Sequence, residues 1–440
     1  MKHDASGRHE LTRREVLARA GLAAVTAAGT SISTAGAETT GGIGDSGAST
    51  ADQALLSGKA WQEFCDQLRE VGNQLLGDDF PQSERDRMEG FRYLTHLLSF
   101  SMQMEIESGN TSYPAFTRYE QPHNQWGGPN PDNTYLRAHI DPDKTYRVWG
   151  NLKGIRQAIL SLHEGDLQQE KFGVYSEQSL HDWDVGADGE FELWVSKDRH
   201  SGNWMPMHDK ARIFGIRVYQ SDWEKDASPA FHIECIDTGR VSPPPMAPGE
   251  LAAGLERSIH WIKDSVTYWN TRTKQGWARA EKNTVAPAVS VPGGADNMIY
   301  GKCYWDLRED EALVLTGEVP DAEFWNYCIH TQAWLQSGDM ANRQVSLNGH
   351  QMYIDQDGRY RLVLSARDPG TPNWIDSESR PTGLLVYRYV WSKSSPTPQA
   401  RKVKVDDVRS SLPPDHPTID ADERNRRLSR RRELYWNRYL

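Results

Sequence analysis

The chain has 440 residues, with 50 Lys and Arg against 61 Asp and Glu and a formal net charge of −11. An acidic protein repels nucleic-acid phosphates, so the charge balance disfavours a nucleic-acid partner. Hydrophobic residues make up 37% of the chain, and 16 Trp and 17 Tyr are among them. That content is enough for a buried core and excludes disorder of the whole chain.

The first 37 residues have the features of a twin-arginine signal peptide. Arg13 and Arg14 precede a weakly apolar run rich in Ala and Gly, and Ala35-Gly36-Ala37 is typical of a cleavage site. The run is too polar for a transmembrane anchor, which needs about twenty strongly apolar residues. We therefore predict a signal peptide over residues 1–37, a flexible linker over 38–57, and a periplasmic or secreted mature protein without a membrane span.

The mature chain begins with helical periodicity and continues with strand periodicity. Trp61, Phe64 and Leu68 recur at the spacing of an amphipathic helix, and a second such pattern follows Pro81. Alternation of period two then predicts several strands. Residues 58–242 are accordingly interpreted as N-terminal helices followed by a first β domain.

A proline-rich break precedes the second half of the chain. We predict a linker and one long helix over residues 243–283, a C-terminal β-sandwich over 284–412 and a basic helical tail over 413–440. Because helices and strands do not alternate regularly, the order predicts an α+β fold with N-terminal helices and mostly antiparallel sheets packed as β-sandwiches. The tail pairs either with the acidic body or with a second subunit, which would make the protein a homo-oligomer; the alternative is contact with a membrane surface or a polyanion.

A rigid loop interrupts the strands of the C-terminal third. Residues 368–374, DPGTPNW, place two prolines, a glycine, an amide and an indole between two strand patterns. With Phe324-Trp325, Ser346-Leu347-Asn348 and the strand that carries Arg388, this loop resembles bacterial exported proteins with the domain of unknown function 1214. The resemblance extends over residues 61–391, including NPDNTYLRAHID at 130–141, and implies a jelly-roll-like C-terminal sandwich without specifying a chemistry.

The common catalytic and metal-binding signatures are missing from the sequence. It contains no G-x-S-x-G elbow, no P-loop, no H-E-x-x-H and no C-x-x-C. We therefore expect neither a metal nor a cofactor. The four cysteines are far apart in sequence and are expected to be buried free thiols: Cys65, Cys235, Cys303 and Cys328.

Two groups of residues in the first β domain are candidates for a ligand site. Alternation along a predicted strand places Asn133, Tyr135 and Arg137 on one face. This face is either a rim exposed to water or the lining of a pocket that binds a carboxylate, sulfate or hydroxyl group. Trp204 and Trp223 would supply stacking surfaces, with a structural corner as the alternative.

The C-terminal block supplies the remaining candidates. If the strand FWNYCIHTQAW runs through Trp334, His330 shares a face with Gln332 and Trp334 and is either a core or a catalytic histidine. Asp368 is either a general acid/base or the buried ion-pair partner of Arg388. Arg388 and three further residues are also candidates for substrate binding: Asn348, Asn373 and Trp374.

These residues favour an exported enzyme that acts by acid/base chemistry, hydrolysis or elimination, on a small cyclic or glycosylated organic molecule. Asn133 and Arg137 would orient the substrate, Tyr135 or His330 would donate a proton, and Asp368 would be the base. The alternative is a non-catalytic periplasmic or extracellular binding or envelope protein, in which the same aromatic pocket retains a ligand. Both interpretations have a small molecule as the partner.

Overall fold

The computed structural model describes residues 49–239, 241–291 and 297–438, and these residues form an α+β fold with mostly antiparallel sheets. The predicted fold class is therefore confirmed. The predicted signal peptide lies outside the described residues, as does the linker up to residue 48. The predicted domain boundaries stay predictions.

The helices of the described chain are α1 (Thr50–Leu56), α2 (Lys59–Gln74), α3 (Glu84–Met102), α4 (Pro248–Arg279) and α5 (Ala421–Asn437). Helix α1 lies within the predicted flexible linker, so this part of the linker is helical instead. Ser49 and Asp52 form a capping box, and Asp52 also accepts a hydrogen bond from the backbone of Gly249 at 2.7 Å. None of these helices is long and apolar enough to cross a membrane.

Two sheets make up the first β half. Their strands are β1 (Thr117–Tyr119), β2 (Asn133–His139), β3 (Tyr146–Asn151), β4 (Gln157–His163), β5 (Val174–Ser179), β6 (Glu190–Ser196), β7 (Trp204–Pro206), β8 (Ile213–Tyr219) and β9 (Ala230–Cys235). The first sheet has the order β1-β2-β8-β4-β5, and the second sheet has the order β7-β6-β3-β9. Apolar side chains from both sheets form one core between them.

The second β half is built in the same way. Its strands are β10 (Val285–Val289), β11 (Met298–Asp306), β12 (Glu311–Glu318), β13 (Ala322–His330), β14 (Ser346–Asn348), β15 (Arg359–Ser365), β16 (Trp374–Asp376), β17 (Thr382–Ser392) and β18 (Gln399–Lys404). The third sheet has the order β10-β11-β17-β13-β14, and the fourth sheet has the order β16-β15-β12-β18. A second core, rich in Trp and Tyr, lies between these two sheets.

The outer faces of the first and third sheets meet each other. In β8, Phe214 and Ile216 belong to the first core, so the alternate residues Arg217 and Tyr219 point the other way. Tyr219 packs with side chains of the third sheet, including Val390 of β17. Each of these two sheets therefore has one face in its own sandwich and the other face at a joint shared by both.

Helices α2, α3 and α4 pack together beside this joint and bury Trp334. The predicted strand through Trp334 is wrong, because β13 ends at His330 and the backbone turns, with Leu335 at a φ of 49°. Trp334 instead reaches α3, where its Nε1 donates to the carbonyl of Asp86 at 3.1 Å. His330 and Trp334 consequently do not share a strand face.

The basic tail packs on both β halves of its own chain. In α5 and just after it, Arg424, Arg431 and Arg438 are buried, although the tail is rich in charge. Arg431 donates to the carbonyl of Met340 at 2.9 Å and lies 4.7 Å above the ring of Trp223. Formation of a homo-oligomer through this tail stays a prediction.

Candidate functional site

A cavity of about 470 Å³ lies at the joint between the first and third sheets, below helix α4. We call it the central cavity. The predicted face of β2 lines one wall through Asn133, Tyr135 and Arg137. The opposite wall includes Tyr300 and Arg388, which are paired in register on β11 and β17. The central cavity thus brings together residues that are far apart in sequence.

Positive side chains outnumber negative ones around the central cavity. Its acidic side chains are Glu120 and Asp166. The basic side chains are Arg137, Lys171, Arg217, Arg272, Arg279, Lys302 and Arg388. Although the whole chain is acidic, this cavity is a region of positive potential.

Arg137 has its ionic partner within the protein. Its Nη1 lies 3.0 Å from Oδ1 of Asp166, and Trp261 Nε1 donates to Oδ2 of the same carboxylate at 2.8 Å. Burial opposes ionisation of Asp166, but the ion pair with Arg137 keeps its pKa below the ordinary value. Arg137 therefore forms a fixed part of the wall and is not a free anion-binding group.

Arg388 and Arg217 lack such a partner. Arg388 donates to the carbonyl of Gly128 at 3.1 Å and lies 3.3 Å from Nε2 of His330, and its Nη1 is buried without a hydrogen-bond partner among the described residues. Gly127 and Gly128 have φ values of 69° and 84°, a backbone conformation that suits glycine and aims this carbonyl. Arg217 Nη1 is likewise buried and without a partner in this part of the chain.

His330 orients Arg388 and is not free to act on a substrate. Its Nδ1 lies 2.9 Å from Ser337 Oγ, which donates to the carbonyl of Pro129, so Nδ1 carries the proton and Nε2 accepts from Arg388. Burial lowers the pKa of His330 well below its ordinary value, and Arg388 and Lys302 add to this shift. A neutral acceptor fixed in this way does not fit the predicted role of proton donor.

Glu120 is one of the cavity residues that the sequence analysis missed. It follows β1, its backbone φ is 54°, and its carboxyl forms no hydrogen bond or ion pair within the described chain. Burial raises the pKa of Glu120 to about 7, against the opposing effect of Arg217 and Arg388. No motif marks this position, because only the fold brings the end of β1 into the cavity.

Two tyrosines flank Glu120 on the same wall. The rings of Tyr119 and Tyr135 lie 5.4 Å apart between centroids. Burial raises the pKa of Tyr119 to about 12 and that of Tyr135 well above its ordinary value, so both hydroxyl groups keep their protons near neutral pH. They can donate hydrogen bonds there, whereas Glu120 can both take and give a proton.

Several predicted site residues do not line the central cavity and have structural contacts instead. Asn373 donates to the carbonyls of Tyr353 and Arg361 at 2.8 and 2.9 Å. Five residues predicted to bind substrate are absent from the lining of this cavity, and their roles stay predictions: Trp204, Trp223, Asn348, Asn373 and Trp374.

Two of these residues, Trp223 and Asn348, donate hydrogen bonds to Asp132. This fully buried carboxylate accepts from Trp223 Nε1 at 2.9 Å, from Asn348 Nδ2 at 2.8 Å and from Asn326 Nδ2 at 2.7 Å. Asp132 immediately precedes β2. Of its partners, Trp223 follows β8, Asn326 lies on β13 and Asn348 lies on β14. The NPDNTY segment is thus a buried polar joint between the two β halves, with one side continuing into the cavity wall.

The predicted pair of Asp368 and Arg388 is also wrong. Asp368 Oδ2 accepts from Arg424 Nε of the tail at 2.8 Å, and Asp368 Oδ1 accepts from the backbone of Gly370 at 2.9 Å. Asp368 lies in the loop after β15 of the fourth sheet, whereas Arg388 faces the cavity on the far side of the third sheet. Asp368 therefore cannot be the base of a reaction in the central cavity.

Comparisons with known proteins support the fold but do not identify an activity. No family model and no curated protein matches the chain. The chain is similar to the crystal structure of an uncharacterized protein from Burkholderia cenocepacia, with 28% identity and a TM-score of 0.75 over 82% of this chain and 100% of that chain. A protein from Vibrio parahaemolyticus is 12% identical over 71% of this chain and 97% of its own, with a TM-score of 0.42.

Proposed function

We propose that the chain is an enzyme that performs acid/base chemistry, hydrolysis or elimination, on a small ring-bearing molecule in the central cavity. The observation that carries the proposal is Glu120, an unpaired carboxyl on the cavity wall. Because burial raises its pKa to about 7, Glu120 exchanges a proton readily at neutral pH. It replaces Asp368 as the candidate general base.

The surroundings of Glu120 suit such a reaction. Tyr119 and Tyr135 stay protonated at neutral pH and can donate hydrogen bonds to charge that develops on a substrate oxygen. Asn133 lies on the same face of β2 and supplies an amide for orientation. The volume of about 470 Å³ matches a small organic molecule. In this scheme Glu120 takes a proton from the substrate or from water and returns it to the leaving group.

The alternative function is retention of a ligand without turnover. The same aromatic and amide groups would bind a molecule in that case, and the pKa of Glu120 would control its affinity. The resemblance to proteins with the domain of unknown function 1214 is compatible with either function. We also propose export by the twin-arginine route, on the basis of Arg13 and Arg14.

Metabolite profiling distinguishes the two functions. A bacterial metabolite extract is incubated with the wild-type protein or with Glu120→Gln, and both samples are analysed by mass spectrometry. An enzyme consumes a compound with the wild-type protein, and Glu120→Gln slows this consumption by about a hundredfold or more. Recovery of the same unchanged molecule from both proteins would identify a binding protein. Equal turnover by both would remove Glu120 from the mechanism.

A further inference from the structure

Two arginines enter the central cavity from opposite walls. Arg217 extends from β8 of the first sheet, and Arg388 extends from β17 of the third sheet. Both guanidinium groups act electrostatically on the hydroxyl groups of Tyr135 and Tyr219. The two cations therefore flank the same part of the cavity, although they belong to different β halves.

Neither arginine is compensated within the described chain. Arg388 is 5% exposed, and neither Arg217 nor Arg388 is within ion-pair distance of a carboxylate. Each also has a buried Nη1 without an acceptor. Buried cations are normally paired, because removing them from water is costly unless an anion and hydrogen bonds compensate. Arg388 is buried and Arg217 is half-buried, and each keeps one buried N–H donor that no acceptor in the described chain satisfies.

Glu120 does not supply the missing charge. Glu120 interacts electrostatically with both arginines, but it makes no hydrogen bond to either of them within the described chain. With a pKa of about 7 it is largely protonated in mildly acidic solution and half protonated at neutral pH. The positive charge of the two arginines is therefore available to a ligand.

Apolar and aromatic side chains also line the central cavity. The third sheet contributes Leu384, Val386 and the ring of Tyr300, over which Arg388 lies at 5.7 Å. The first sheet contributes Ile213. A small inorganic anion would leave this apolar space unfilled. An organic acid, in contrast, can place its carboxylate near the arginines and its apolar part in this space.

We propose that Arg217 and Arg388 together bind the carboxylate of an organic acid whose ring or aliphatic part lies against the apolar walls of the central cavity. Each planar guanidinium can direct two parallel N–H groups at one carboxylate, which gives geometric selectivity as well as attraction. His330 holds Arg388 in position through Nε2. This inference applies to an enzyme and to a binding protein alike, so it does not depend on the proposed turnover.

Calorimetric titration with matched acids and amides tests the proposal without any turnover. The probes are acetate, benzoate and phenyl phosphate, with acetamide and benzamide as neutral counterparts, in a buffer of low ionic strength. The variants are Arg217→Gln and Arg388→Gln, and Arg401→Gln is the control at an exposed position away from the cavity. If Arg388→Gln does not fold, Arg388→Lys keeps the charge and removes the planar fork.

We expect benzoate to bind at least about tenfold more tightly than benzamide, and each cavity variant to weaken benzoate binding by about tenfold or more. Arg401→Gln should bind as the wild type does. The proposal is overturned if neither acetate nor benzoate binds at millimolar concentration or if benzamide binds as well as benzoate. It is also overturned if both cavity variants keep full affinity for benzoate. Tighter binding of phenyl phosphate than of benzoate would assign the site to phosphate esters and would overturn the proposal that it binds a carboxylate.

Discussion

Replacing Glu120 by Gln should change how the stability of the protein depends on pH. In the folded chain burial raises the pKa of Glu120 to about 7, whereas the ordinary value is 4.5. Between these two values the folded protein keeps a proton that the unfolded chain releases. Rising pH therefore favours the unfolded state of the wild-type protein over this window, and the Glu120→Gln substitution removes that effect because an amide cannot ionise.

The size of the effect follows from the two pKa values. One pKa unit corresponds to about 1.4 kcal/mol, so a shift from 4.5 to about 7 gives roughly 3 kcal/mol once ionisation is complete. Water in the cavity would reduce this figure by screening. The contribution is absent at pH 4, grows between pH 4.5 and 7, and is then constant. pKa shifts of other groups, such as the lowered pKa of Asp166, are present in the wild type and in Glu120→Gln. They therefore cancel in the difference between the two free energies of unfolding.

Urea denaturation of both proteins at a series of pH values measures this difference. The free energy of unfolding of Glu120→Gln should exceed that of the wild type by an amount that increases from pH 4.5 to pH 7.5. Glu281→Gln, at an exposed carboxyl that does not line the cavity, is the control and should track the wild type at every pH. A difference between wild type and Glu120→Gln that does not change with pH would refute the raised pKa and, with it, the basis of the proposed acid/base role.

Three further outcomes are expected. Asp132→Asn places an amide donor against buried donors, so it should lower the free energy of unfolding by about 2 to 3 kcal/mol in urea titrations, and an unchanged midpoint would contradict the buried joint. Asp368→Asn should lower the free energy of unfolding by about 1 kcal/mol through its contact with Arg424 and leave benzoate binding unchanged, whereas weakened binding would show that this loop influences the cavity. Exchange of Arg13 and Arg14 for Lys should leave unprocessed precursor in the cytoplasm, as seen by cell fractionation, and normal processing would refute the twin-arginine assignment.

Local periodicity was sufficient for much of the fold. Hydrophobic spacing of 3.6 predicted α2 and α3, and alternation of period two predicted strands in both halves of the chain. The same alternation correctly placed Asn133, Tyr135 and Arg137 on one face, because strand geometry alone fixes which residues point the same way. It could not tell whether that face meets water, a core or a cavity.

Contacts between distant segments were beyond the reach of the sequence. The tail helix supplies Arg424 to Asp368, and a turn after His330 takes Trp334 away from the strand. Arg388 was a candidate because of a neighbouring motif, but the carbonyl to which it donates belongs to Gly128, far away in the chain. In each case the partner is chosen by packing between elements far apart in the chain, and no local pattern records that choice.

The sequence by itself determined which elements form and which side chains share a face. The tertiary structure alone decided that Glu120 and Arg217 belong to the site, because the first and third sheets turn their outer faces toward each other. Burial between these sheets raises the pKa of Glu120 and leaves Arg217 without an ionic partner. Both properties arise from the loss of water around the side chains, which depends on what packs over them and not on their position in the sequence.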